Sequence, residues 1–199
     1  MVINMEHKHH GKSSATFLNS DEIIKELNFK GNETFMDVGC GDGYISLKAI
    51  DEYLPEGTVY AVDIYDKAIE DLKEYKSEKN IENLIPIEAD ITKGISLIDD
   101  DSIDVILMLN VFHGFKESEI RADVIEELKR LIKNDGKIAI MEFKPIEMQK
   151  GPPVDIRVSH FELEELFVKH GLKKVYLNVD IGEKIPEGKS HYIIIFQKE

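Results

Sequence analysis

The sequence is poor in cysteine and lacks long apolar runs. Cys40 is the only cysteine, which excludes an intrachain disulfide and a zinc site built from cysteines. No apolar stretch reaches the length of a membrane span. The first residues, "MVINMEHKHHGKSS", show no apolar signal region after a basic start. We therefore expect a cytoplasmic protein without a membrane partner.

Basic charge is also scarce. The chain has 25 Lys and Arg residues against 39 Asp and Glu residues, a net charge of −14. Proteins that bind nucleic acid need a basic patch for the phosphates, but here basic residues alternate with acids, as in "DLKEYKSEKN". We expect no nucleic-acid partner. With 199 residues and no internal repeat or linker, the chain predicts a single domain over residues 1–199.

Two hydrophobic periodicities alternate along the chain. Helical spacing predicts helices over 19–28, 44–54, 66–80, 118–132 and 159–171. Short β-branched or apolar runs predict strands over 34–38, 58–64, 83–90, 103–110, 137–143, 173–179 and 191–197. The expected helix caps are Asn19 or Ser20, Asp66, and a Ser159–Glu162 capping box, and "KNDG" (133–136) is expected to end the fourth helix.

The order of these elements predicts the fold. Alternation of strand and helix indicates a mostly parallel sheet with helices on both faces, a three-layer α/β sandwich. The nine-residue connection "DIGEKIPEG" (180–188) leaves room for a hairpin only. The last strand should therefore run antiparallel, near one edge of a seven-stranded sheet.

A glycine-rich turn, "MDVGCGDGY" (36–44), joins the first strand to a helix. Glycines there allow a tight turn and close approach of a ligand to the backbone. The spacing is G-x-G-x-G, which differs from the G-x-G-x-x-G of dinucleotide-binding folds. Asp37 and Asp42 would repel a pyrophosphate but would attract a positive centre, so an NAD(P)-dependent oxidoreductase is disfavoured.

Two further acids end neighbouring strands. Asp63 follows the turn by about twenty residues, where a carboxylate accepts hydrogen bonds from ribose hydroxyls. Asp90 ends the third strand, where it could accept a hydrogen bond from an exocyclic amine. Ribose, amine, amino group and positive sulfur together describe S-adenosylmethionine.

The same segments resemble the class I S-adenosylmethionine-dependent methyltransferases, particularly small prokaryotic relatives of the ubiquinone/menaquinone-biosynthesis type. The resemblance covers roughly residues 20–197. It lies in "DVGCGDG" (37–43), "VDI" (62–64), "EAD" (88–90), "DVILMLNVFH" (104–113), "LKRLIKNDGKIAIMEF" (128–143) and a "GPP…S" stretch (151–159). It implies a Rossmann-like fold and transfer of methyl to a small molecule by in-line displacement.

The resemblance also implies a set of cofactor-binding residues: Asp37, Gly39, Cys40, Gly41, Asp63, Ile64, Asp90, Ile91 and Asn110. In it, Asp37 lies near the amino group of the methionine part, and Asn110 faces that part near the transferred methyl. Asp63 binds the ribose, while Ile64 and Ile91 pack beside adenine. From the residues alone, Cys40 is expected to be a small buried residue rather than a reactive thiol.

Two residues are candidates for the acceptor side. His113 follows a buried strand and is the expected catalytic residue, as a base or by orienting the acceptor; the alternative is a histidine that caps the "FHGF" turn. Arg157 could bind an anionic acceptor or pair with one of the many acids. No strong constellation of bases is visible, which favours an acceptor that is already nucleophilic.

The histidines leave other functions open. His7, His9 and His10 form "HKHH", and His160 and His191 occur later, so a metal-dependent methyltransferase is one alternative. A flexible terminus is another, and a lid of residues 1–18 over the cofactor is a third. A non-catalytic regulator that binds S-adenosylmethionine is a further alternative. The acceptor, the metal status and the oligomeric state remain open from the sequence.

Overall fold

A computed structural model describes residues 14–199. His7, His9, His10 and most of the expected lid lie outside these described residues. The helices are α1 (Ser20–Leu27), α2 (Tyr44–Glu52), α3 (Asp66–Lys79), α4 (Ser118–Leu131) and α5 (His160–Lys169). The strands are β1 (Thr34–Val38), β2 (Thr58–Asp63), β3 (Leu84–Glu88), β4 (Ile103–Leu109), β5 (Ile132–Phe143), β6 (Leu172–Ile185) and β7 (Gly188–Lys198).

The seven strands form one sheet in the order β3-β2-β1-β4-β5-β7-β6. The first five strands are parallel, and β7 runs antiparallel to both β5 and β6. The predicted fold class, including the single reversed strand near one edge, is confirmed.

Apolar side chains leave the sheet on both faces. In β4, Ile106 and Met108 pack in a cluster that includes side chains of α4 and α5. Val105 and Leu107 pack in the opposite cluster, with side chains of α1, α2 and α3. The near-continuous apolar run of β4 is therefore buried on both faces, as expected for a central parallel strand.

Three local predictions are wrong. The segment "KNDG" belongs to β5, which begins at Ile132 directly after α4. The β6–β7 connection is only residues 186–187, because both strands extend into the expected loop. Asp66 is the first residue of α3 and does not cap it, since Tyr65 precedes it in extended conformation.

Two predicted caps are confirmed. Asn19 Oδ1 accepts hydrogen bonds from the amides of Asp21 and Glu22 at the start of α1. Ser159 and Glu162 form the expected capping box of α5. Within residues 14–199, no helix combines the length and the apolar character needed to cross a bilayer.

Candidate active site

The candidate site lies where the strand order changes direction. The chain goes from β1 outward through β2 to β3, and then returns to the other side of β1 with β4. In open α/β sheets, ligands bind beyond the carboxyl ends of the strands at such a point. The glycine turn follows β1 there, and the segment 110–114 follows β4 beside it.

The three glycines of the turn all have positive φ, 76° at Gly39, 54° at Gly41 and 78° at Gly43. A Cβ on Gly39 would lie 2.3 Å from Val111 Cγ2, and one on Gly43 would lie 2.5 Å from Leu72 Cδ2. A Cβ on Gly41 would meet nothing within 4 Å. Gly39 and Gly43 are therefore required by protein packing, whereas Gly41 borders open space that a ligand can occupy.

The amides of this turn donate within the protein. The Gly39 and Cys40 amides donate to the Val62 carbonyl at 2.7 and 3.0 Å, and the Gly43 amide donates to the Cys40 carbonyl at 2.9 Å. The Gly41 amide donates to Asp63 Oδ2 at 2.8 Å. A phosphate-binding loop needs free amides, so these four amides do not suit a dinucleotide.

Asp37 is a buried acid at the end of β1, with 2% of its surface exposed. Its Oδ2 accepts a hydrogen bond from Ser46 Oγ at 2.7 Å. Burial raises the pKa of Asp37 to about 7, and the nearby charges of Asp63 and Asp42 act in the same direction. A cation placed beside these acids would relieve their repulsion.

Asp63 lies at the carboxyl edge of the sheet and holds the glycine turn in place by hydrogen bonds. Its Oδ1 accepts the Tyr65 amide at 2.9 Å, and its Oδ2 accepts the Gly41 amide. Each carboxylate oxygen has a second lone pair for a ribose hydroxyl. The next residue, Ile64, is 51% exposed, an unusual position for a large apolar side chain and one suited to stacking on an adenine ring.

Asp90 and Ile91 have local partners. Asp90 Oδ1 accepts from the Thr92 amide and hydroxyl, and Oδ2 pairs with Lys93 at 3.0 Å. Burial raises the pKa of Asp90, but the hydrogen bonds from Thr92 and Lys93 outweigh it and lower that pKa. Ile91 is 6% exposed and packs in the core cluster. Their roles toward adenine stay predictions.

Glu142 is the partner of His113, and the sequence analysis missed it. Glu142 Oε2 lies 2.8 Å from His113 Nδ1, and Oε1 accepts the His113 amide at 3.2 Å. The Glu142 side chain is 1% exposed and that of His113 is 14% exposed. An acid inside the apolar run "IAIMEF" was the available signal. The contact holds the His113 ring against a buried acid. The role of His113 as a base stays a prediction.

Asn110 begins a second polar cluster at the same edge. Its Oδ1 lies 3.1 Å from His191 Nε2, and His191 Nδ1 lies 2.7 Å from Ser190 Oγ. Asn110 Nδ2 is buried and has no hydrogen-bond partner within the described residues. Burial lowers the pKa of His191 to about 3, and the positive charges of Arg157 and Lys144 lower it further. His191 is therefore neutral near pH 7.

A family model described as "Methyltransferase domain" matches residues 29–186. The chain belongs to this family. The fold agrees, because a S-adenosylmethionine-dependent methyltransferase from Aquifex aeolicus superposes with a TM-score of 0.77 at 24% identity, covering 90% of this chain and 89% of that one. The resemblance to class I methyltransferases is confirmed.

Curated relatives of this chain match over part of their length. A ribosomal protein L11 methyltransferase from Enterococcus faecalis is 34% identical over 116 residues, which is 58% of this chain and 33% of that protein. A demethylmenaquinone methyltransferase from Lactobacillus johnsonii is 25% identical over 122 residues, 61% of this chain and 48% of that protein. The chain thus spans about a third to a half of these relatives.

Arg157 is buried against the main chain. Its guanidinium donates hydrogen bonds to four carbonyl groups at 2.6–3.1 Å, those of Lys144, Ile146, Lys150 and Pro152. It also lies over the Phe143 ring, 5.4 Å from the centroid. Neither sequence interpretation, an anion-binding site or an acid pair, describes these contacts: the side chain fastens the loop after β5.

Residues 14–18, the described part of the expected lid, lie at the carboxyl edge. The Leu18 carbonyl accepts a hydrogen bond from Tyr44 Oη at 2.7 Å, and Tyr44 begins α2 directly after the glycine turn. Phe17 stacks near Phe143 with ring centroids 5.9 Å apart, at the end of β5. The segment therefore joins the two sides of the site, although closure over a ligand stays a prediction.

Metal and thiol chemistry find little support in the described part of the chain. Between residues 14 and 199, no three His, Cys, Asp or Glu side chains form a group that could hold a metal ion. His160 packs beside Phe161 and Tyr192, and His191 belongs to the Asn110 cluster. Cys40 is buried and free, and burial raises the pKa of its thiol.

Proposed function

We propose that the protein transfers a methyl group from S-adenosylmethionine to a small-molecule acceptor at the carboxyl edge of the sheet. One observation carries this proposal: the glycine turn borders open space at Gly41, yet its amides are used internally and the nearby charges are negative. Such a site favours a cationic nucleoside over a phosphate-bearing one.

The residues present fit this cofactor. Asp63 would hold the ribose hydroxyls, the exposed Ile64 would cover adenine, and Asp37 would face the amino group. When bound, the cofactor supplies a methyl group activated by its sulfonium. Because attraction to the acids stabilises the bound cation before reaction, it favours binding and not the rate.

The His113–Glu142 pair supports catalysis over mere binding. Glu142 is held by two hydrogen bonds to His113, so it fixes the tautomer that carries a proton on Nδ1. His113 Nε2 is then free to accept a proton from the acceptor. General bases contribute about 10²–10⁴-fold in rate. This arrangement favours an acceptor that must lose a proton, such as a hydroxyl or phenol.

The acceptor class rests on charge. A net charge of −14 disfavours nucleic acid, and the ribosomal-protein relative makes a protein acceptor the competing outcome. A non-catalytic regulator remains the second candidate, but it would not require a buried acid behind the His113 ring. The cytoplasmic location stays a prediction, as does the metal-dependent alternative that uses His7, His9 and His10.

Calorimetry tests cofactor choice. S-adenosylmethionine and S-adenosylhomocysteine should bind, and NAD should not. Asp63→Asn should weaken binding roughly 10- to 100-fold because a charged, half-buried acceptor for the ribose hydroxyls is lost. Asp51→Asn, an exposed change on α2, should leave binding unchanged. Binding of NAD in preference to S-adenosylmethionine would overturn the proposal.

Labelled methyl tests transfer. Incubation with labelled S-adenosylmethionine and an extract of the source cells should place label in the small-molecule fraction. Label in the protein or nucleic-acid fraction would change the acceptor class. Binding of the cofactor with no transfer to any fraction would favour the regulator.

A further inference from the structure

The Ser190–His191–Asn110 cluster runs from the β6–β7 hairpin to the turn after β4. Ser190 Oγ accepts the Glu183 amide at 2.9 Å and contacts His191 Nδ1 at 2.7 Å; His191 Nε2 in turn contacts Asn110 Oδ1 at 3.1 Å. Ser190 and His191 are 1% and 0% exposed. Buried polar groups of this kind are normally all satisfied, so each proton in the cluster has a determinable place.

Only one arrangement of protons satisfies the whole cluster. The Ser190 hydroxyl donates to His191 Nδ1, and neutral His191 donates from Nε2 to Asn110 Oδ1. The reverse tautomer would require the Asn110 amide to turn and would leave the buried Ser190 hydroxyl proton without an acceptor. The first arrangement keeps Asn110 Nδ2 as a donor, and that atom has no partner in the part of the chain that the structure describes.

Asn110 is next in sequence to a residue that packs on the glycine turn. Asn110 has φ of 58°, a conformation that asparagine tolerates better than most residues. The next residue, Val111, lies so close to the turn that a Cβ on Gly39 would come within 2.3 Å of it. Asn110 and the open space at Gly41 therefore belong to one site.

The proposed cofactor has one negative group, the carboxylate of its methionine part. The acids Asp37, Asp42 and Asp63 would repel that group, and the amides of Gly39, Cys40, Gly41 and Gly43 are already used. A buried carboxylate needs donors. Asn110 Nδ2 is a buried donor at this edge, and it has no hydrogen-bond partner among residues 14–199.

Resting on the proposed function, we propose that Asn110 Nδ2 binds the carboxylate of S-adenosylmethionine, with Ser190 and His191 as positioning residues that hold the amide in the donating orientation. The hairpin thereby contributes to cofactor recognition although neither of its two residues touches the cofactor. Gly182 is also needed for this cluster, because a Cβ there would lie 2.7 Å from His191 Nδ1.

The test compares S-adenosylmethionine with decarboxylated S-adenosylmethionine, which keeps the sulfonium, the amine and the adenosine but lacks the carboxylate. The measured quantity is the ratio of the two dissociation constants for each protein, from calorimetry. Asn110→Asp keeps the shape and the oxygen that faces His191 but replaces the donor with a negative oxygen. It should weaken S-adenosylmethionine binding roughly 10- to 100-fold while decarboxylated S-adenosylmethionine binds at least as well as to the unmodified protein.

His191→Phe and Ser190→Ala test the positioning residues. Both should shift the ratio in the same direction as Asn110→Asp, by about tenfold or less, because the amide is freed to turn but not removed. Tyr192→Phe is the matched control: it removes another buried hydroxyl of β7, bonded to the Val158 carbonyl at 2.8 Å, and should leave the ratio unchanged.

Each result decides the proposal. If the variants weaken both ligands equally, the cluster is purely structural and the inference fails while the proposed function stands. If Asn110→Asp leaves both affinities unchanged, Asn110 does not contact the carboxylate. If the unmodified protein binds neither ligand, the proposed cofactor itself is wrong, and the inference falls with it.

Discussion

Arg157 offers the sharpest test of a residue whose sequence interpretation and structure disagree. An anion-binding residue would keep much of its function as lysine, because the charge is retained. A side chain that joins four carbonyl groups would not, since one ammonium cannot reach the positions of a planar, forked guanidinium. We therefore expect Arg157→Lys to act on stability and to leave the acceptor's KM unchanged.

The expected magnitude follows from the hydrogen bonds. If lysine keeps one or two of the four, two or three are lost, at about 1 kcal/mol each, so the free energy of unfolding falls by about 2–3 kcal/mol. For a domain of this size, that lowers the unfolding midpoint by roughly 5–10 °C. Arg157→Met should lower it further, because the charge and the remaining bonds are lost as well.

Thermal and urea unfolding measure the effect. Lys150→Met is the control, because it removes a half-exposed cation whose ion pair with Glu183 is worth about 1 kcal/mol or less. A midpoint for Arg157→Lys within about 1 °C of the unmodified protein would refute the role as a loop fastener. A raised KM for an anionic acceptor without loss of stability would restore the interpretation as a substrate ligand.

Three further predictions concern the site. Glu142→Gln should lower turnover about 10- to 100-fold at unchanged cofactor affinity, because a neutral amide does not stabilise protonated His113. The folded protein holds the Asp37 proton more tightly, with a pKa of about 7, than the unfolded chain does. The contribution of Asp37 to the free energy of unfolding therefore falls by roughly a few kcal/mol as pH rises from about 4 to 7. Urea unfolding of Asp37→Asn should not show this fall. Gly41→Ala should fold with a loss of about 1–2 kcal/mol but bind the cofactor poorly, whereas Gly39→Ala should fail in folding itself, as circular dichroism would show.

Each of these has an opposite outcome. Turnover of Glu142→Gln equal to that of the unmodified protein would remove the acid from the mechanism. Parallel stability curves for Asp37→Asn and the unmodified protein between pH 4 and 7 would contradict the raised pKa. A Gly41→Ala protein with full cofactor affinity would show that the space beside Gly41 is not the cofactor's.

The sequence predicts what depends on local pattern. Strand–helix alternation predicts the three-layer sheet, and the acids at the ends of β1 and β2 predict a cationic nucleoside, because each signal lies in a few consecutive residues. Asn19 and the Ser159–Glu162 box are predicted for the same reason. By contrast, Asp66 was mistaken for a cap because a local pattern fits two neighbouring positions equally well.

Contacts between strands that are distant in sequence could not be predicted from local patterns. Glu142 meets His113 only because β4 and β5 are neighbours, and no spacing along the chain encodes that distance of 29 residues. His191 lies opposite Phe143 through the antiparallel register of β7, which places it near Asn110, 81 residues away. The contacts of Arg157 were not predicted because its partners are carbonyl groups, which every residue has and which no sequence pattern distinguishes.

The carboxyl edge of the sheet carries different polar groups on its two sides. On the β1–β2 side, Asp63 and the ionised form of Asp37 offer acceptors, which suits ribose, an amine and a positive centre. On the β4–β5–β7 side, the buried Glu142 contacts His113, the proposed proton acceptor, and the neutral His191 contacts Asn110, the proposed donor. A symmetric cofactor would gain nothing from this division, but one with a cationic and an anionic group on the same chain would be held in a single direction. Replacing the donor at Asn110 with an acceptor should therefore disturb binding of the methionine part and leave binding of the adenosine part unchanged. The ligand 5′-methylthioadenosine lacks the amino-acid group, so it should bind Asn110→Asp and the unmodified protein equally.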